Sequence, residues 1–171
     1  MTPSLSTSRL TLRPLVKATQ RNLGWLRDPD VVKWSQQRHR EHTLSSQLRY
    51  VGSFTGNSHL WAIVLAETGE HIGNLSARHD EPNNVSDVGI MIGETKYWGQ
   101  GFASEAWKHA CDWLLDKDCG AVRKLEAGCA RSNEAMLKII RGSGFKQEGE
   151  LLNHHLFGGS PTSAVLFGRM R

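Results

Sequence analysis

The segment with the clearest chemical potential runs from Lys96 to Ser104 and reads Lys-Tyr-Trp-Gly-Gln-Gly-Phe-Ala-Ser. Gly99 and Gly101 can adopt backbone conformations closed to other residues, so successive N–H groups can converge on one point. An apolar helical pattern follows, and the positive end of a helix dipole favours an anion there. With the charge of Lys96 and the hydroxyl of Ser104, the segment is a candidate pyrophosphate site.

The spacing alone is also compatible with an ordinary turn between a strand and a helix, because short glycine motifs are common. The segment is not a P-loop, since no Gly-Lys-Ser/Thr follows at the required offset. It is not a dinucleotide fingerprint either, because Ser104 occupies the position of the third glycine.

The elements around this segment predict an α/β fold with one mixed sheet and helices on its faces. The Val-, Ile- and Met-rich stretch Val85–Ile92 is a predicted strand before the loop, and an amphipathic helix runs from Gly101 to about Lys117. Thr43 is a predicted helix cap, and Gly158–Pro161 is a predicted hairpin turn. The remaining predicted strands are Arg9–Arg13, Leu60–Leu65, His71–Arg78, Val122–Cys129, Phe145–Leu152 and Ala164–Met170, and the remaining predicted helices are Lys17–Leu26 and Asn133–Arg141.

Composition indicates one domain spanning residues 1–171, with disorder expected only in the polar residues 1–8. The net charge of +4 is spread along the chain rather than clustered, which argues against a nucleic-acid partner. Three cysteines without a Cys-x-x-Cys pair indicate a reducing, cytoplasmic compartment without disulfides. No signal peptide or membrane span is expected, and no metal cofactor.

Three separate blocks resemble one known family. Residues 97–106 resemble the acetyl-CoA-binding motif of the GNAT acetyltransferase superfamily, Gln/Arg-x-x-Gly-x-Gly/Ala, with Lys96 as a basic variant in the first position. Residues 9–15 resemble the start of its ribosomal-protein N-terminal (Rim-type) branch. The stretch from Asn133 to Phe145 resembles the family's second conserved helix and the turn after it. The resemblance covers nearly the whole chain, in order.

The resemblance implies a mixed sheet of six or seven strands with about four helices, whose strands Asp87–Ile92 and Lys124–Cys129 splay apart. Acetyl-CoA would lie in this opening. Its contacts would come from the backbone near the splay, from the segment Lys96–Ser104, which we call the phosphate loop, and from Asn133. The residues are Ile90, Met91, Ile92, Lys96, Tyr97, Trp98, Gly99, Gln100, Gly101, Phe102, Ala103, Ser104 and Asn133. A splay of this kind exposes strand N–H and C=O groups that an amide-bearing arm can satisfy.

Acetyl transfer to an amine in a ternary complex requires a base, an oxyanion donor and a proton donor. Asp87 occupies the position where relatives carry a strand glutamate, so it is the candidate base. The same sequence pattern is also compatible with a solvated carboxylate at the start of a strand that has no catalytic role. The Met91 backbone N–H is the candidate oxyanion donor. The family's usual donor to the CoA thiolate, a Tyr or a Ser, is replaced by Ile140 and Met136.

The acceptor pocket of the family lies beside the first helices and the last hairpin, which assigns Trp34, Arg38, Arg40, His79 and His154 to the acceptor. The arginines suit a carboxylate or phosphate, as in an amino sugar on a nucleotide carrier, although a charged stretch of this kind is more often a solvated loop. A protein N-terminal amine is the other acceptor. The missing donors leave a second interpretation open, a non-catalytic acetyl-CoA sensor or interaction module. The enzyme is expected as a monomer or a homodimer.

Overall fold

The sheet contains eight strands, and only one pair of neighbouring strands is parallel. The computed structural model describes all residues 1–171. The strands lie in the order β1-β2-β3-β4-β5-β6-β8-β7, and every pair is antiparallel except β5–β6. The strands are β1 Leu5–Ser6, β2 Leu10–Pro14, β3 His59–Leu65, β4 His71–Asp80, β5 Val85–Ile92, β6 Lys124–Ala130, β7 Lys146–Phe157 and β8 Ser160–Met170.

Five α-helices cover the sheet: α1 Gln20–Arg27, α2 Pro29–Val32, α3 Leu44–Gly52, α4 Phe102–Leu115 and α5 Glu134–Gly142. Two 3₁₀ helices, Gln36–His39 and Thr95–Tyr97, lie in the connections. Thr43 caps α3 as predicted, because its hydroxyl accepts from the Ser46 N–H while the Ser46 side chain caps Thr43 in return. The mixed fold is confirmed, but the expected counts of strands and helices are too low.

The extra strand comes from the N-terminal segment. Leu5 pairs with Leu12 and is buried, and the Pro3 carbonyl accepts a hydrogen bond of 2.8 Å from the Trp61 indole. The expectation of disorder over residues 1–8 is therefore wrong, because alternation over two residues is too short to predict a strand. The final hairpin is also longer than predicted, with Gly158 and Gly159 both at positive φ in its turn.

Both faces of the sheet are covered at β3, all of whose residues are buried. One face packs against the apolar sides of α4 and α5 around Trp61, Trp107, Leu125 and Phe167, and we call it the core face. The Trp107 indole donates to the Ser143 hydroxyl at 2.9 Å, which joins α4 to the end of α5. The opposite face carries the intervening residues of each strand and the segment from α1 to α3, and we call it the helix-α1 face. These two faces separate the groups described next.

Candidate active site

The parallel strands β5 and β6 form a fork. They pair only over Val85–Asp87 and Lys124–Glu126, although β5 continues to Ile92 and β6 to Ala130. Beyond Asp87 the edge of β5 that faces β6 has no strand partner. Backbone N–H and C=O groups on that edge need hydrogen-bond partners, and an extended amide-bearing ligand supplies them. The splay implied by the family resemblance is thus present.

The register of β5 against β4 decides which backbone groups face the fork. The Gly93 N–H donates to the Ile72 carbonyl at 2.9 Å, and Met91 is paired with Asn74 two residues earlier. Because N–H directions alternate along a strand, Met91 also directs its N–H towards β4, whereas Ile90 and Ile92 direct theirs into the fork. The prediction of Met91 as the oxyanion donor is therefore misplaced by one residue, and Ile90 is the nearby backbone donor that faces the fork.

The loop after β5 presents a row of backbone donors. Gly99 has φ 74° and Gly101 has φ 82°, and α4 begins at the next residue, Phe102. The N–H groups of residues 99–104 donate to no acceptor within the protein. Six consecutive free donors at the start of a 14-residue helix fit a diphosphate, because the helix dipole adds to their attraction for an anion. The geometry thus agrees with the pyrophosphate site expected from the glycine spacing.

Side chains of the loop mostly hold its own backbone. The Trp98 indole donates to the Ile92 carbonyl at 2.9 Å, and the Gln100 amide donates to the Lys96 carbonyl at 2.8 Å. Lys96 and Tyr97 both contact Glu70, with Nζ–Oε1 and Oη–Oε2 distances of 2.9 and 2.6 Å. These two hydrogen bonds, from Tyr97 and Lys96, lower the pKa of Glu70. The Lys96 charge is thus neutralised by Glu70 instead of standing alone beside the loop.

Sequence reasoning missed a support beneath the loop, formed by Arg9 and Glu105. The Arg9 guanidinium contacts the Glu105 carboxylate at 2.6 Å, donates to the Gln100 carbonyl at 3.1 Å and lies 4.4 Å from the centre of the Phe102 ring. Partial burial opposes ionisation of Glu105, but hydrogen bonds from Thr7 and Arg9 outweigh it and lower its pKa. Glu105, the acidic residue in the first turn of α4, was the one feature of the sequence that could have indicated this support.

Asp87 stands in the last paired position before the strands separate. Its neighbours in register are Arg78 on β4 and Glu126 on β6, and all three are exposed on the helix-α1 face. Surrounding protein raises the pKa of the Asp87 carboxyl, the Glu126 charge raises it further, and Arg78 opposes both. Because Asp87 also retains solvent access, the carboxylate is available to a substrate. A carboxylate with a raised pKa at the point of a cleft suits a general base.

Asn133 and the residues expected to replace the proton donor lie on or beside α5. Asn133 is the N-cap of this helix, and its side-chain oxygen accepts from the Met136 N–H at 3.2 Å. Ile140 is fully buried, and Met136 packs against the core. These two positions therefore offer no hydroxyl to the fork, as their residue types indicate.

The residues assigned to the acceptor divide into two groups. Trp34 contacts Phe157 edge to face at 4.9 Å, and Arg38 lies 4.0 Å from the centre of the same ring, so these two meet the tip of the last hairpin. Arg40 lines a cavity of about 750 Å³ at this place, and His154 lies against His155 on the same hairpin. His79 is elsewhere, on the core face, where its Nδ1 is 3.0 Å from the Ser86 hydroxyl.

No group of three or more His, Cys, Asp or Glu side chains is placed to hold a metal ion. No helix is both long enough and apolar enough to cross a bilayer. The fork and the row of free N–H groups can together hold a diphosphate ligand with an extended arm, and Asp87 stands at the narrow end of the fork.

Together the fold and this site have the features expected of an acyltransferase that uses acetyl-CoA. A profile of the acetyltransferase (GNAT) domain family matches residues 9–146, and the chain belongs to this family. The protein named uncharacterized N-acetyltransferase p20 of Bacillus licheniformis is 25% identical over 179 residues, covering 98% of this chain and 96% of that protein. The chain is thus similar to an N-acetyltransferase over its full length.

Two solved structures show the same fold. Ribosomal-protein-S5-alanine acetyltransferase from Vibrio fischeri aligns with a TM-score of 0.76 at 18% identity, over 98% of this chain and 96% of that one. Microcin C7 self-immunity acetyltransferase MccE, in complex with acetyl-CoA and AMP, aligns with a TM-score of 0.78 at 15% identity, over 96% of this chain and 94% of that one. Family membership supports the enzyme and not the non-catalytic sensor.

Proposed function

We propose that the chain transfers the acetyl group of acetyl-CoA directly to a primary amine, with the two substrates meeting at the β5–β6 fork. The free N–H groups of residues 99–104 bind the pyrophosphate, and the open edge of β5 at Ile90 and Ile92 pairs with the pantetheine arm. The observation that carries this proposal is the continuity of the two features, since the fork leads from Asp87 to the phosphate loop along one strand.

The acceptor amine approaches from the helix-α1 face, where Asp87 takes its proton directly or through water. The Ile90 N–H donates to the carbonyl oxygen of the thioester as negative charge develops on it. Met136 and Ile140 cannot return a proton to the CoA thiolate, so solvent supplies it. The register of β5 with β4 and β6 supports the first two steps, because Asp87 stands where the strands separate and the Ile90 N–H faces the fork.

Two classes of acceptor agree with the site, a small-molecule amine and a protein N-terminal amine. The first is supported by the arginines near the hairpin tip and by one similar structure, MccE, which is in complex with acetyl-CoA and AMP. The second is supported by the similarity to a ribosomal-protein acetyltransferase. A polyamine fits less well, because the cationic side chains beside the site repel it.

Calorimetric titration with acetyl-CoA tests the cofactor site. Gly101→Ala places a side chain at φ 82°, where a non-glycine residue costs about 1–2 kcal/mol. We expect roughly tenfold weaker binding, because the loop relaxes in the free protein and binding must restore its shape. Gly24→Ala in α1, where an added Cβ meets nothing within 4 Å, is the matched control. Equal affinities for both variants and the parent would place acetyl-CoA somewhere else.

A further inference from the structure

The cavity that Arg40 lines lies between the segment from α1 to α3, which we call the helical segment, and the tip of the last hairpin. It has a volume of about 750 Å³ and is lined by the ends of α1 and α2, the 3₁₀ helix Gln36–His39, the chain leading to α3, and Phe157 and Gly158. Pockets for small organic ligands measure about 300–1,000 Å³, so the cavity has room for one. We call it the basic cavity, because four cationic side chains and a single carboxylate line it, Arg27, Lys33, Arg38, Arg40 and Glu41.

Two of the four cations build the wall. Arg27 donates to the His42 carbonyl at 2.8 Å, and Arg38 donates to the Ser35 and Leu156 carbonyls at 2.7 and 3.1 Å while stacked on Phe157. The bond to Leu156 ties the helical segment to the hairpin, and the other two lie within the helical segment. Buried His42 adds a further bond within this segment, since its Nε2 lies 2.9 Å from the Gln37 carbonyl. Because the wall residues are already bonded, the cavity keeps its shape without a ligand.

The other two cations have no anionic partner. Lys33 and Arg40 are exposed, and neither forms a salt bridge or a side-chain hydrogen bond within the chain. Lys33 lies 5.0 Å from the centre of the Trp34 ring, which holds the ammonium group beside an aromatic surface. Guanidinium and ammonium groups that converge on one concave space, with only Glu41 to oppose them, favour an anion.

We propose that the basic cavity binds the phosphate or carboxylate group of a small organic anion, with Lys33 and Arg40 as its ligands, and that this group belongs to the acceptor amine. The first part is independent of catalysis. The second part rests on the proposed function, which it makes more specific: the preferred acceptor is an anionic amine such as an amino sugar phosphate. A neutral amine of the same shape is then a poorer substrate.

The experiment combines direct binding with selectivity. Binding of glucose 6-phosphate, which has the phosphate but no amine, is measured by calorimetry for the parent and for Lys33→Ala/Arg40→Ala. Selectivity is the ratio of kcat/KM for glucosamine 6-phosphate to that for glucosamine. Lys146→Ala on the edge strand β7, exposed and remote from the cavity, controls for net charge. We expect the double variant to weaken glucose 6-phosphate binding about tenfold or more and to reduce the selectivity ratio by a similar factor.

Each outcome has a definite meaning. Equal binding in the double variant, the control and the parent overturns the anion site. Weakened binding with an unchanged selectivity ratio overturns the link to the acceptor and makes the anion a separate ligand. Weakened binding together with no turnover of any amine supports the cavity and refutes the proposed function instead. Thermal unfolding of each variant shows whether the fold has been retained.

Discussion

Replacement of Asp87 by Asn tests the assignment of the base. The amide has nearly the same size but cannot take a proton, and general bases contribute about 10²–10⁴-fold to rate. Because Asp87 stays exposed to solvent, water can replace part of its function, so we expect the lower end of that range. A loss of about 10² in kcat corresponds to about 2.7 kcal/mol of barrier. Acetyl-CoA affinity should not change, since the phosphate loop begins after the other end of β5.

The pH profile distinguishes this base from the ionisation of the amine itself. Activity requires ionised Asp87, so it falls as the pH drops through the pKa of that carboxyl. Glu126→Gln removes the neighbouring negative charge that raises this pKa, so the acidic limb of kcat/KM should move to lower pH. The pKa of the amine is a property of the substrate, so the part of the pH profile that depends on the amine should not move. Glu148→Gln is the matched control, because Glu148 contacts the same Lys124 at 2.7 Å but lies on β7, away from Asp87.

The stability of Asp87→Asn gives a second measurement of the same pKa. An acid whose pKa is raised by folding binds its proton more tightly in the folded state, so stability falls as the pH rises through that window. Asp87→Asn removes this loss, and the variant should be at least as stable as the parent at neutral pH. Steady-state kinetics from pH 5 to 9 and urea unfolding provide the data. Unchanged turnover in Asp87→Asn, or an acidic limb that Glu148→Gln moves as far as Glu126→Gln does, would refute the assignment.

Three further predictions concern stability and the loop. Burial, the chain's amino group and His79 lower the pKa of His59 to about 4. Protonation of His59 should therefore cost up to about 3 kcal/mol of stability as the pH falls from 6.5 to 4. In urea unfolding, His59→Gln should lose less stability over this range than the parent does, whereas His39→Gln, at an exposed position, should lose as much as the parent. In Gly93→Ala the new Cβ would lie 2.0 Å from the buried Trp25 ring, so unfolding midpoints should fall by the equivalent of about 3 kcal/mol. Arg9→Ala should weaken acetyl-CoA binding roughly 3- to 10-fold in calorimetry with little change in stability, because its pairing with Glu105 is partly exposed; unchanged binding would show that the loop needs no support.

The phosphate loop was predictable because its determinants are local. Positive φ at Gly99 and Gly101 and the start of α4 depend on residue types within a few positions of one another. The support by Arg9 was not predictable, since the residue contacts Glu105 across 96 positions of chain. Neither residue type indicates such a pairing by itself.

Strand register explains the errors near the fork. Met91 and Ile90 have similar side chains, and the hydrogen bond from the Gly93 N–H to the Ile72 carbonyl decides which backbone N–H faces the open edge. A shift by one residue reverses every direction along the strand. Register also separates His79 from the other residues assigned to the acceptor. This residue is paired with Ser86 and therefore lies on the core face, whereas the next pair, Arg78 and Asp87, lies on the opposite face.

The division between the two faces also explains why the fork is suited to catalysis. The phosphate loop belongs to α4 on the core face, whereas Asp87 and the basic cavity belong to the side of α1 to α3. A continuous sheet would separate these groups. Where β5 and β6 part after Asp87, the sheet has an opening. In the proposed reaction an acyl donor from one side meets an amine from the other through this opening. The position of the last paired residue therefore fixes both the opening and the proposed base beside it, and extending the pairing past Asp87 would close the site even with every side chain retained.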